Sequence, residues 1–387
     1  MLSLLQNSSL ADLWGPLRLA SSHLFLMGLA ASAAALAVLL ALPRFFGSLP
    51  RDRGKVLVAD GKVSAGKPTG AGLPLFLLSL PALLLALPVG ECGNIRFFSS
   101  RQWQIVGCLA LAMTTGYLDD RSEKEWGRLR KGLLDLLVAF LAALALSHCQ
   151  NVEVWLPVTK LSFSVPWPLY TAVCTPILWF TINSTNCSDG VDGLAGTLTL
   201  ISLATLAGIL YVVVGHEAVA GYLLLPHNPE GAQWAILCLA FCGATAGYLW
   251  YNAWPSQVLM GDAGSRTLGL LVGVAALAAG NPFLVLVTAP VVFINGGTGL
   301  VKIVLLKLLA RCGFNIGAAE GASRASGGNA AQSRPCWLAR RLRSVRFPLH
   351  DEAKTELHWS NPQVLMRFAL IQAGVMPLLL LLLLKIR

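Results

Sequence analysis

VCTPILWFTINSTNCSDGVDGLAGTLTLISLATLAGILYVVVG, residues 173–215, decides how this chain is read. Two apolar runs flank a short polar hinge, residues 183–196, that holds two aspartates, two asparagines and three glycines. The flanking runs show no period-2 alternation, and in lipid a backbone must satisfy its own hydrogen bonds, so they are expected to be helices. The hinge is too short to leave a membrane surface. Working outward, comparable runs recur near 22–42, 72–90, 102–118, 132–148, 168–182, 194–214, 232–251, 267–280, 282–306 and 364–384. About 20 apolar residues cross a bilayer core. The 387-residue chain has a mean hydropathy of +0.65 and only 12% charged residues, where a soluble domain carries about a quarter. The expectation is an all-α integral membrane protein with about ten transmembrane helices, forming one polytopic domain over residues 1–387. The first run is not followed by a small-residue cleavage site and is taken as a retained span.

Charge gives the orientation. Segments 43–71, 119–131 and 307–358 hold 20 of the 29 Lys and Arg residues. With ten spans all three fall on one side, which the positive-inside rule makes cytoplasmic, leaving both termini outside. The net charge of +10 is thus mainly topology charge. It predicts no nucleic-acid partner, and it suits anionic lipid and anionic substrates. Nine cysteines form no framework; Cys92 and Cys149 fall in predicted outer loops where a disulfide could form, but nothing in the sequence gives reason to expect one. Residues 309–348 are Gly/Ala/Ser-rich and then basic. They are expected to be a flexible cytoplasmic insertion, its CWLARRLRSVRF end either a short surface helix or a solvated loop.

Only 19 residues are acidic, so their placement is informative. Three clusters stand at span ends on the predicted cytoplasmic side: GYLDDRSEKEW (116–126), the hinge, and YNAWPSQVLMGDAGSRTLG (251–269). Asp189 and Asp192 have no Lys or Arg in their own loop. They would share a face if the next helix began there. Ionisable residues at membrane depth are functional candidates. Asp262 is flanked by Gly261 and Gly264, with Arg266 as its only near cation in sequence. Carboxylates converging on one membrane face need a counter-charge. Magnesium suits them, because it takes oxygen ligands and is shared with substrate phosphates. Acids, metal and nearby basic loops together imply phosphoryl transfer. The rival class is a secondary transporter, but its acids would lie near the bilayer midplane in repeat-related pairs.

Four segments, in order and spacing, resemble the polyprenyl-phosphate phospho-sugar transferases: GKPTGAG (66–72), GYLDD (116–120), NSTNCSDGVDG (183–193) and NAWPSQVLMGDAGS (252–265). The tail WSNPQVLMRF (359–368) resembles the phospho-MurNAc-pentapeptide translocase branch more than the related GlcNAc-1-phosphate transferases. The resemblance implies transfer of phospho-MurNAc-pentapeptide from UDP-MurNAc-pentapeptide to undecaprenyl phosphate, giving lipid I and UMP, with Mg2+ as cofactor. It further implies a bacterial inner membrane location, a cytoplasmic active site and a homodimer. Carried over residue by residue, Asp262 is the metal ligand, Asp119 and Asp120 handle the lipid phosphate and the metal-diphosphate cluster, and Asp189 is a further essential acid. Asn186, Asp192 and Asn252 would contact the nucleoside part of the donor, and Lys67, Thr69 and His350 are further substrate-binding positions. Lys62 is the alternative to Lys67 as the loop lysine. Two departures stand out. Leu259 replaces a family Phe, and His350 is followed by Asp351 and Glu352 where the family carries a run of His, with His358 nearby.

Overall fold

A computed structural model describes residues 15–54, 64–87, 99–124, 126–156, 161–312, 314–315, 334–335 and 346–384. The CWLARRL stretch, Lys62 and Cys92 lie outside these residues. Each apolar run carries a helix: α1 (His23–Phe45), α2 (Gly72–Leu85), α3 (Ser100–Arg121), α4 (Arg128–Ser147), α5 (Trp167–Ser188), α6 (Leu194–Gly208), α8 (Gly231–Asn252), α9 (Gly261–Ala278), a broken run from Leu284 to Arg311, and α14 (Asn361–Leu384). A short α7 (Glu217–Leu223) and α13 (Leu349–Thr355) lie between them. Among the described residues, five helical segments are long and apolar enough to cross a membrane: His23–Phe45, Leu194–Val213, Gly231–Asn252, Pro290–Arg311 and Asn361–Leu383.

Two features away from the hinge depart from the sequence expectation. The first is an antiparallel hairpin, β1 (Val152–Trp155) with β2 (Ser162–Val165). Trp155 donates from its backbone N–H to Gly280 O at 3.1 Å and from its indole Nε1 to Ala279 O at 2.9 Å. The hairpin thereby closes the carbonyl end of α9. The second is the run expected at 282–306. It is split into α10 (Leu284–Thr288), α11 (Pro290–Val292), a π turn (Phe293–Gly297) and α12 (Thr298–Arg311). Pro290 has no N–H to donate back into α10, so the helix breaks before it.

The helices pack as lipid demands. Hydrocarbon gives no hydrophobic force between helices, so association depends on close fit at small residues and on internal hydrogen bonds. At Gly243 in α8 a Cβ would overlap the Ala31 carbonyl of α1, so these backbones touch. Hydroxyls inside the apolar helices donate to carbonyls one turn back, as Thr181 to Ile177 O at 2.8 Å and Thr199 to Ala195 O at 2.7 Å. Leucines such as Leu36, Leu40, Leu378 and Leu381 are exposed on the outside, the placement expected for a lipid-facing surface. The C-terminal end of α5 lies opposite its hairpin end. There the ends of α3 and α5 meet the starts of α4, α6 and α9.

Candidate active site

At that end lies a cavity of about 520 Å³. All ten residues singled out from the sequence line it: Lys67, Thr69, Asp119, Asp120, Asn186, Asp189, Asp192, Asn252, Asp262 and His350. Arg51, Arg53 and Arg128 join them, so cations and carboxylates line the same cavity.

One charged cluster is built around the first turn of α9. Gly116 on α3 makes the approach possible, since a Cβ there would stand 2.5 Å from Asp262 O and 2.6 Å from Ala263 Cα. Asp120, one turn further along α3, then caps α9. Its carboxylate accepts the N–H of Asp262 at 3.0 Å and of Ala263 at 3.1 Å. Those N–H groups have no partner inside their own helix, and the helix dipole favours a negative charge there. Asp119 is buried, accepts the N–H of Trp126 at 3.0 Å and forms an ion pair with Lys131. The same Lys131 Nζ donates to Asp262 Oδ2 at 3.2 Å. Arg266, fully buried, donates to Asp262 Oδ2 at 2.8 Å. Lys131 and Asp135, absent from the sequence-derived set, are therefore part of this cluster. Asp135 lies 3.4 Å from Arg266 Nη1.

The hinge has a different form from the one expected. Asp189 ends α5 as its C-cap, and α6 starts only at Leu194. Asp189 and Asp192 hence stand in a loop, not on one helical face. Gly193, at φ 78°, makes the turn into α6 that an L side chain would resist. Its N–H donates to Asn252 Oδ1 at 2.7 Å, and Asn252 Nδ2 donates to Val258 O at 2.8 Å. The oxygen of that amide thus joins the hinge to the 252–262 segment, and its nitrogen braces the segment on itself. Asp192 Oδ2 accepts the Ser256 N–H at 3.1 Å and lies 3.8 Å from Lys67 Nζ, which donates to Ser256 Oγ at 2.9 Å. The cation missing from the hinge sequence is supplied by the 64–72 loop. That loop pairs with the 259–260 backbone: Leu259 N–H to Pro68 O at 2.8 Å, and Ala71 N–H to Leu259 O at 3.2 Å. Asn186 Oδ1 accepts from Ser265 Oγ at 3.4 Å.

His350 enters from α13. Asn295, in the π turn, accepts at Oδ1 from the His350 backbone N–H at 2.9 Å and faces Nδ1 at 3.1 Å. This sets the proton on Nδ1 and leaves Nε2 as an acceptor. The ring fills the space over Gly190, where a Cβ would overlap Nε2. Burial, with the Lys354 charge second, pushes the imidazole down to about 4 from 6.5. Between these values protonation favours the unfolded chain, so the stability contributed is complete above about pH 6.5 and is lost as pH falls toward 4. The thermal midpoint in detergent should drop across this window, and His350→Asn should flatten the drop. An unchanged profile would remove His350 as its source.

No group of three His, Cys, Asp or Glu side chains among the described residues forms a complete metal cage. Magnesium does not need one. It is held by one or two carboxylates and substrate phosphates, and Asp262 and Asp189 open on the same cavity. The residues fit.

Residues 102–280 match the model of glycosyl transferase family 4. Across 375 residues, 96% of this chain and 93% of the relative, the sequence is 41% identical to the Phospho-N-acetylmuramoyl-pentapeptide-transferase of Treponema pallidum (strain Nichols). This chain belongs to the phospho-N-acetylmuramoyl-pentapeptide-transferase family. A relative of the same name from a Nitratiruptor species is 30% identical over 259 residues, 64% of this chain and 70% of its own. Membership of the phospho-N-acetylmuramoyl-pentapeptide-transferase family makes the chain a phospho-sugar transferase, and with its apolar helices a multi-pass membrane protein. The transporter alternative falls away.

Proposed function

We propose that this enzyme transfers phospho-MurNAc-pentapeptide from UDP-MurNAc-pentapeptide to undecaprenyl phosphate, forming lipid I and releasing UMP for peptidoglycan synthesis. The observation that carries it is the family relationship along nearly the whole chain, with all ten candidate residues on one cavity. An oxygen of the lipid phosphate forms a bond to the sugar-bearing phosphorus, and the bridging oxygen leaves with UMP. A phosphate monoester is already largely ionised at neutral pH, so screening of two anions matters more than a strong base. Magnesium, which Asp262 would hold with Asp189 lining the same cavity, would supply part of that screening and stabilise the departing phosphate. Lys131 and Lys67 supply the fixed positive charge. Asp119, locked to Lys131, holds that ammonium beside Asp262. Asp120 acts by orienting the first turn of α9, since both its oxygens are taken by backbone N–H groups. Asp192 and Asn252 shape the donor pocket by tying the hinge to the 252–262 segment, Asp192 through the Ser256 N–H and Asn252 through the Gly193 N–H. Thr69, Asn186 and the His350 Nε2 acceptor complete the polar lining.

The same proposal includes ten spans in a single membrane domain, a bacterial plasma-membrane location, a site facing the cytoplasm and a homodimer, whose test is molar mass in detergent. The test of the activity is UMP release by purified protein with magnesium and undecaprenyl phosphate. UDP-MurNAc-pentapeptide is expected to turn over and UDP-GlcNAc is not. Turnover of UDP-GlcNAc alone would move the enzyme to the related transferases, and silence with both would sink the assignment.

A further inference from the structure

Arg266 and Asp135 are not cavity residues, yet they end on one. Arg266 has no exposed surface, and Asp135 is 2% exposed. The guanidinium lies between three carboxylates: Nη2 is 2.8 Å from Asp262 Oδ2 and 3.8 Å from Asp119 Oδ2, and Nη1 is 3.4 Å from Asp135 Oδ1. Its Nε and Nη1 make no hydrogen bond among the described residues, so the direct hydrogen bond this side chain makes is the one to Asp262.

We propose that Arg266, backed by Asp135, is a positioning residue that fixes the Asp262 carboxylate toward the cavity from behind. Burying such a pair is not a stability device. The desolvation of two ions commonly exceeds their attraction, and apolar side chains of similar volume often do as well or better. What the pair provides is geometry. The planar fork of Arg reaches two carboxylates at once, one on its own helix a turn back and one on α4, which a lysine ammonium cannot reproduce. The cation on the cavity side of Asp262, Lys131, is partly exposed and shared with Asp119, so it fixes the carboxylate less firmly. Asp135 also locks α4, the helix that begins by presenting Lys131, to α9. The two charges that face Asp262 are thereby set in one register.

This inference rests on the assignment of Asp262 to the reaction above, and the experiment separates the two. Wild type, Asp262→Asn, the double variant Asp135→Leu/Arg266→Met and the single Arg266→Lys are purified in detergent. Each is measured for thermal midpoint, donor affinity by calorimetry, kcat and KM. The double variant is expected to hold its midpoint and its donor affinity while kcat falls about 10²-fold, the scale of a small misplacement of a reacting group. A double variant with wild-type kcat would make the pair a packing feature and overturn the inference. If the double variant does not fold, Arg266→Lys decides. It retains the buried charge, and a loss of kcat at unchanged KM supports positioning while unchanged kcat refutes it. Turnover by Asp262→Asn at the wild-type rate would remove the assignment beneath it.

Discussion

Asp262→Asn is expected to lower kcat by about 10³-fold or more, the scale of losing a preorganised charge at a phosphoryl-transfer centre, with the fold intact. The substitution conserves volume and still offers an oxygen to Lys131 and Arg266. Neither cation is orphaned, because Lys131 retains its ion pair with Asp119 and Arg266 retains Asp135. The thermal midpoint should therefore stay near that of wild type. What disappears is the negative charge that would draw a divalent cation to the diphosphate. Donor binding, which draws on Lys67, Thr69 and the hinge, should fall much less than kcat. UMP release, the midpoint and donor affinity by calorimetry separate these effects. Turnover within tenfold of wild type would exclude Asp262 as the metal ligand. An equal fall in midpoint and kcat would assign it a structural role.

Much of this site was legible in the chain because chemistry and composition pull against each other there. Acids are costly in lipid-spanning sequence, so Asp119, Asp120, Asp189 and Asp262 stood out, and the folded chain brings all four to one cavity. Helix placement was equally legible, since apolar runs of the right length have few alternatives. What did not show was who pairs with whom. Spacing along α3 and α4 does not reveal that Lys131 meets Asp119, nor that Lys67 reaches Asp192 from 125 positions away. Asp135 did leave a signal, a lone carboxylate inside an otherwise apolar run, and its partner Arg266 a second one at i+4 from Asp262. The hinge aspartates were expected on a helix. The αL turn at Gly193 delays α6 until Leu194, a backbone choice that glycine permits but does not dictate. The break before Pro290 and the π turn that presents Asn295 to His350 depend on tertiary contacts that periodicity does not encode.

The second large effect should come from a residue with no chemistry. Gly72→Ala is expected to cost the protein several kcal/mol, at or above the usual 1–3 kcal/mol of overpacking, and to reduce kcat about 10²-fold in whatever fraction remains folded. An added Cβ would overlap the backbone of Gly264 and Ala263. The obstacle is main chain, so no rotamer change relieves it. Gly72 also donates its N–H to Met260 O at 3.2 Å, beside the Ala71–Leu259 and Leu259–Pro68 bonds. Pushing α2 off α9 therefore unzips the strip that holds the Lys67 loop against the Asp262 turn, and both sides of the cavity move together. Gly28→Ala is the control. It lies in α1 with nothing within 4 Å of the new Cβ, and alanine is the better helix former by about 1 kcal/mol, so midpoint and activity should match or exceed wild type. If Gly72→Ala behaves like Gly28→Ala in both midpoint and UMP release, the close approach of α2 to α9 is not what assembles this site.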